Sequence, residues 1–286
     1  MINYYLLTKP GIILGNLIPL AAGFLLASKG VVHIWLFLAT LIGLALIMAS
    51  GCVFNNFIDR KMDEKMIRTK NRALVLRSIS TYRALLFGTI LGILGVSVLF
   101  FYTNLLTVAL AAVGFFVYVV IYSLWKGRTV YGTAIGSVAG AIPPVVGYCA
   151  VSNTWDAGAS ILFAMMVLWQ MPHFFAIALL HLDDYAKAGI PVLPLEKGIL
   201  RTKIHMALYV FGFTGAALLL TLFHYTGYIY LAVVLSAGLS WLWLALDGFK
   251  RSENQRWGRQ MFLLSLLILT SICLTIPFDL LLKASG

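Results

Sequence analysis

An all-α membrane bundle is the fold this sequence predicts, and three observations carry it. The 286 residues are 61% hydrophobic and only 11% charged, with a mean hydropathy of +0.95; a soluble domain of this length would carry about 25% charged residues. The apolar residues gather into nine windows, each of the ~20 residues that cross a bilayer as a helix. The basic residues gather in every second link between those windows. A bilayer gives exposed backbone no water to bond, so only helices or closed barrels cross it, and windows of this length are helical. The expectation is a polytopic protein whose nine transmembrane helices form one bundle around a central cavity, a single domain spanning 1–286.

In chain order the windows fall near 10–28, 32–54, 81–101, 104–125, 130–151, 157–180, 203–223, 226–246 and 259–280. Links one, three, five and seven are short and almost free of Lys and Arg. The other links hold Arg60 to Arg83, Lys126 and Arg128, Lys187 to Lys203, and Lys250 to Arg259, and Lys9 belongs with them. Only Lys29 and Lys283 fall on the other side. Positive residues stay cytoplasmic, which places the N-terminus and the basic links inside and, with an odd number of spans, the C-terminus outside. Trp35, Trp125, Trp155, Tyr225 and Tyr228 sit near span ends, as interfacial aromatics do. The net charge of +11 is confined to these links, so nucleic acid is not an expected partner. The opening "MINYYLLTKPG" lacks a basic region followed by a small-residue cleavage site, so no signal peptide is expected. Cys52, Cys149 and Cys273 lie within apolar spans, show no metal-ligand spacing and read as small packing residues.

A weak internal echo runs through the chain. Gly11, Gly15 and Pro19 in span 1 repeat as Gly136, Gly140 and Pro144 in span 5. Glycine every fourth residue gives a smooth face for close helix approach. Spans 2 and 6 both end in acidic residues, so the sequence reads as two four-helix units, about 8–125 and 129–246, plus a final helix at 259–280.

The chemistry is concentrated in "NNFIDRKMDEKMIRTKNR", directly after span 2. Asn55, Asp59 and Asp63 stand at i, i+4 and i+8, nearly one face of a helix. Two carboxylates and a carboxamide are oxygen ligands for a hard divalent ion, and Mg2+ prefers a few carboxylates plus phosphate oxygens and water. Asp183 and Asp184 follow span 6, and if helices 2 and 6 are neighbours the two clusters face each other across a cavity mouth. With Arg68, Lys70, Arg72 and Lys197 around the rim, such a mouth would bind a metal–diphosphate, the arginines through paired hydrogen bonds. The alternative is a solvated helix end with local charge pairs, Asp59 with Lys61 or Asp63 with Lys65. That accounts for the charges but not for the alignment of the acids with Asn55 at the membrane edge. A lipid-embedded cavity with this mouth suits ionisation of an allylic prenyl diphosphate, because the cation must be kept from water. Phe54, Phe57, Tyr118 and Tyr122 are candidates by position alone to face such a cation, and the plainer reading of each is packing.

His173, in "LWQMPHF", is the unusual residue of span 6. Polar groups at such depth usually face the bundle interior. Asp184 lies eleven residues further along, about 16 Å on a helix. A neutral imidazole there could ligate haem iron or relay a proton, and Gln170 should line the same cavity. The plainer reading is a histidine satisfied by a neighbour beside the Pro172 kink. His33, His181, His205 and His224 lie near span ends and read as interfacial.

These segments carry a resemblance. "NNFIDRKMDEKMIRTKNR" is similar to the Asn-x-x-x-Asp-x-x-x-Asp signature of the UbiA-type intramembrane prenyltransferases. "TKPGIILGNLI", "ASGCVFNNFID", "VYGTAIGSVAGAIPPVVGY", "LWQMPHFFAIA" and "DYAKAGIPVLPLEKG" resemble its haem-farnesylating branch, the protohaem IX farnesyltransferases, from about Thr8 to Lys197. The resemblance implies Mg2+-assisted transfer of farnesyl from farnesyl diphosphate to the 2-vinyl group of haem B, giving haem O, in the bacterial cytoplasmic (inner) membrane. It implies Asp59, Asp63 and Asp184 as catalytic acids. Asn55, Asp59, Asp63 and Asp184 become metal ligands, with Asp183 ranked below them. Asn55, Arg68, Lys70, Arg72 and Lys197 would hold the diphosphate, and His173 the haem. Haem A synthase or haem–copper oxidase assembly would lie downstream. The second region departs from a full Asp-x-x-x-Asp pattern, since Lys187 and Ala188 stand where another acid might be sought. A quinone-type prenyltransferase would use the same acids with another acceptor. A non-catalytic haem chaperone would leave the acid–basic mouth unexplained. A secondary transporter would need halves of opposite topology, whereas spans 1 and 5 enter from the same side.

Overall fold

The computed structural model describes residues 2–285, with side chains up to Leu280. Lys283, expected opposite the basic links, lies outside the residues whose side chains are described. Among the described residues, nine helices are long and apolar enough to cross a membrane. They are α1 (Pro10–Ser28), α2 (Ile34–Asp63), α3 (Thr81–Tyr102), α4 (Leu105–Trp125), α5 (Gly132–Ser152), α6 (Ala157–Leu180), α7 (Gly198–Leu222), α8 (Tyr228–Lys250) and α9 (Asn254–Leu280). Short helices at Ile2–Leu7, Leu182–Ala188 and Leu193–Glu196 complete the chain.

Helix starts follow local chemistry. Pro10 opens α1, where its missing N–H costs nothing. Ser80, Asn104 and Asp156 cap α3, α4 and α6 by accepting the backbone N–H of Arg83, Thr107 and Ala159. Hydropathy alone misjudges the ends of α2, α7 and α9. The apolar window of span 2 stops at Phe54, but the helix continues unbroken to Asp63. Hydropathy measures hydrocarbon thickness, whereas intrahelical hydrogen bonds carry a helix on through the headgroup layer. At ~1.5 Å per residue, the 30 residues of α2 reach about 45 Å, well past the apolar slab.

In the bundle α2 lies along α3, α1 along α5, and α5 along α6; α6 also packs on α7 and α9, and α9 returns to α1. The buried core draws on all nine spanning helices, with residues such as Leu20, Ile47, Leu99, Leu110, Val145, Met165, Phe213 and Trp241. Two helix ends are fixed by polar groups at helix termini. Asn104 Nδ2 donates to the carbonyls of Cys149 and Ala150 at the end of α5. Asp279 on α9 accepts the backbone N–H groups of Gly227 and Tyr230, capping α8 from a neighbouring helix.

The glycine pattern works differently from the expected repeat. A Cβ on Gly11 or Gly15 would meet nothing within 4 Å, so neither makes a helix contact. Gly136 and Gly140 pack against the Tyr122 and Gln170 side chains. The closest approach of α1 to α5 is made by Gly23 and Gly147 instead. A Cβ on Gly23 would lie 2.1 Å from the Pro144 carbonyl oxygen, and one on Gly147 2.1 Å from that of Leu20. Helices α2 and α6 are not packed side by side, so the condition that they be neighbours is not met. A cavity lies between them, lined by residues of both.

Candidate active site

That cavity has a volume of about 850 Å³ and is walled by α1, α2, α4, α5, α6 and α9. Its flank is apolar, with Ile47, Met48, Phe115, Ile142 and Met166. One end carries Lys9, Asn55, Asp59, Asp63, Arg68, Arg72 and Lys126. His173 and Gln170 line it deeper, on α6.

The motif on α2 reaches this end because its helix runs past the apolar window. Asn55, Asp59 and Asp63 are all buried, and each meets a cation from a different segment. Lys9 Nζ donates to Asn55 Oδ1 at 2.6 Å. Lys126 pairs with Asp59 Oδ2. Arg72 pairs with Asp63 Oδ2 at 2.6 Å. These partners are not the Lys61 and Lys65 of the local-pair alternative, both of which are exposed. Burial holds the Lys9 ammonium down at about 8. Its backbone stands at φ +53 directly before Pro10, a conformation that a pre-proline residue rarely adopts. Lys9 is therefore held in place at some conformational cost, as is common where the chain meets a ligand.

Lys126 and Asn55 share a support. Asn55 Nδ2 donates to Ser123 Oγ at 3.0 Å, and Ser123 Oγ donates to the Tyr118 carbonyl. Residues Val117–Tyr122 form a π-helical turn within α4, a distortion often found at functional sites. It stacks Tyr118 on Tyr122, with centroids 5.9 Å apart and planes 11° from parallel. Both rings line the cavity, and the Lys126 ammonium stands 5.3 Å from the Tyr122 centroid.

The second acidic cluster behaves differently from the first. Asp184 is buried, but its oxygens accept the backbone N–H groups of Ile67 and Arg68 at 3.2 and 3.4 Å. It ties the α2–α3 link to the region after α6, and Arg68 reaches the cavity from that link. Asp183, Lys70 and Lys197 are exposed and do not line the cavity. The expected ligand set of Asn55, Asp59, Asp63, Asp183 and Asp184 is thus not assembled in one place. Among the described residues, no three His, Cys, Asp or Glu side chains converge closely enough to hold a metal. Asp183 and Asp184 lie in a separate short helix, Leu182–Ala188, where Asp183 is exposed and Asp184 is taken up by the α2–α3 link. Asp59, which lines the cavity, keeps a buried Oδ1 without a hydrogen-bond partner. A buried carboxylate oxygen left unpaired is costly, and a hard cation is the group that satisfies it.

Deeper in, the His173 ring lies against Trp169 and Phe262, at centroid distances of 4.7 and 4.9 Å. Its Nδ1 is 2.7 Å from Ser265 Oγ on α9. Gln170 Nε2 donates to the Ser137 and Met166 carbonyls. Of the aromatics named from the sequence, Tyr118 and Tyr122 face the cavity; Phe54 packs on Phe115, and Phe57 lies against the Leu7–Val53–Leu74 cluster.

Comparison with known proteins adds three findings. The sequence profile described as the UbiA prenyltransferase family matches residues 16–267. A curated protein of Protochlamydia amoebophila (strain UWE25), named protoheme IX farnesyltransferase, is 60% identical over 281 residues, covering 98% of this chain and 99% of its own. The fold is shared with a solved digeranylgeranylglyceryl phosphate synthase (TM-score 0.80, 19% identity, 97% of each chain). It is also shared with an Archaeoglobus fulgidus UbiA homologue solved with GPP and Mg2+ (TM-score 0.68, 15% identity, 96% of this chain and 99% of that one).

Proposed function

The chain belongs to the UbiA prenyltransferase family, and from that premise we propose that it transfers the farnesyl group of farnesyl diphosphate to the 2-vinyl group of haem B, forming haem O. The observation that carries this reading is one continuous cavity with an apolar flank and an end bearing two acids and four cations. The name of the Protochlamydia relative supports the substrates.

Farnesyl diphosphate fits with its tail along Ile47, Phe115 and Ile142 and its head among Lys9, Arg68, Arg72 and Lys126. Asp59 and Asp63 would hold Mg2+, with diphosphate oxygens and water completing its shell; the GPP and Mg2+ of the Archaeoglobus homologue support such a site. The ion would supply neutralising charge to the departing diphosphate. The basic side chains supply the rest, through charge-assisted hydrogen bonds to the oxygen that takes the electron pair as C1–O breaks. Asn55 positions Lys9, and Asp184 positions Arg68 through the link backbone. The allylic cation forms beside the Tyr118 and Tyr122 rings, away from bulk water. The terminal vinyl carbon of haem B attacks C1, and positive charge moves to the carbon joined to the porphyrin. Water adds there and loses a proton, leaving the hydroxyethylfarnesyl group and free diphosphate. His173 is the residue we assign to the haem iron.

The basic links support a topology with the N-terminus and the diphosphate end on the cytoplasmic face of the bacterial inner membrane, and the C-terminus opposite. Haem A synthase or a haem–copper oxidase in assembly is the class of protein that would receive the product. The test is direct. Purified protein in lipid nanodiscs, given farnesyl diphosphate, haem B and Mg2+, should yield haem O by mass spectrometry. Folded protein that binds both substrates and forms none would overturn the reading.

A further inference from the structure

The environment of His173 fixes more than its position. Ser265 Oγ lies 2.6 Å from the Phe262 carbonyl oxygen and 2.7 Å from His173 Nδ1. Two oxygens at 2.6 Å need a proton between them, and a serine hydroxyl has only one. That proton points to Phe262, so Ser265 Oγ must accept from His173, and Nδ1 carries the N–H. The described ion pairs include none at His173, and a buried imidazolium without a counter-charge is strongly disfavoured. The ring is therefore neutral, with its lone pair on Nε2. The Trp169 and Phe262 rings lie within 21° and 30° of parallel to the imidazole, and Trp169 is itself held by donating to the Ser265 carbonyl at 2.9 Å. With Nδ1 taken up by Ser265, Nε2 is the ring nitrogen left for the cavity that His173 lines.

We propose that Ser265 is a positioning residue, which locks the Nδ1–H tautomer of His173 and so presents the Nε2 lone pair to the iron of the acceptor porphyrin. The iron part rests on the assignment of His173 under the proposed function; the tautomer stands on the hydrogen bonds alone. A histidine ligand commonly needs such a partner on its other nitrogen, and losing that partner typically costs about 10–100-fold in affinity.

Two measurements test it separately. Nitrogen-15 solid-state NMR of histidine-labelled protein, with His173→Gln as the subtraction control, reads the tautomer without haem. Titration with haem B in nanodiscs, followed by the Soret band, reads iron ligation. The wild type should show a single Nδ1–H signal. Ser265→Ala should lose it and bind haem at least about tenfold more weakly, with farnesyl diphosphate affinity unchanged, and Ser265→Thr should restore both. An Nε2–H signal in the wild type, or a Ser265→Ala protein matching the wild type in both readouts, would overturn the proposal. A haem spectrum indifferent to His173→Ala would refute iron ligation by His173 even with the tautomer signal intact.

Discussion

Asp59 and Asp63 differ in what surrounds them, and the difference shapes what each substitution should do. Asp59 keeps one buried oxygen without a partner, while Asp63 is engaged by Arg72. Asp59→Asn removes the charge that a hard cation needs, and turnover should fall by about 10²–10³-fold, the usual scale for losing one electrostatic contact to a developing anion. Circular dichroism of the variant should stay unchanged. Lys126→Met should weaken farnesyl diphosphate binding about 10–100-fold, on the ~1.5–3 kcal/mol of a charge-assisted hydrogen bond, measured by calorimetry with a non-reactive analogue. Lys70→Ala and Lys197→Ala should change that affinity less than about twofold, since both side chains are exposed outside the cavity; a tenfold loss from either would contradict the geometry. The three motif residues were legible because i, i+4, i+8 spacing is a local property of a helix. Lys9 and Lys126 were not: one precedes the motif by 46 residues and the other follows Asp59 by 67. Sequence spacing cannot show that separate segments fold onto one site, although the tyrosines and the lysine of "YVVIYSLWK" at the end of span 4 hold a faint signal.

At the scale of elements, all nine spans were readable from hydropathy, because lipid forces apolar surface and internal backbone bonding onto the same residues. What hydropathy could not show was the run of α2 to Asp63, the π-helical turn of α4, or the contacts that seat α1 on α5. These depend on which side chain meets which across the bundle. Gly147→Val tests the third. Its side chain would have to displace the Leu20 carbonyl, and overpacking of this kind typically costs about 1–3 kcal/mol, seen as a lower melting temperature in detergent. The same substitution at Gly11, where nothing stands within 4 Å, should leave the melting temperature near that of the wild type. Asp279→Ala should also destabilise by about 1–3 kcal/mol, because the first backbone N–H groups of α8 would lose their acceptor.

The molecule as a whole joins a charged end and an apolar interior in one chamber, and its reaction needs both. In the proposed reaction the charged end would grip the departing diphosphate, and the apolar interior would keep water from the cation until the acceptor captures it. The central claim is that Asp59 and Asp63, with the four cations beside them, form the place where a metal–diphosphate sits. Diffraction from crystals grown with Mn2+ and a non-reactive farnesyl diphosphate analogue tests that claim most directly, because manganese scatters anomalously. The account predicts an anomalous peak bonded to Asp59 Oδ1 and to the diphosphate, with the farnesyl chain running along Phe115 toward His173. A peak at Asp183 or Lys197, or a diphosphate bound away from Lys126 and Arg72, would contradict it.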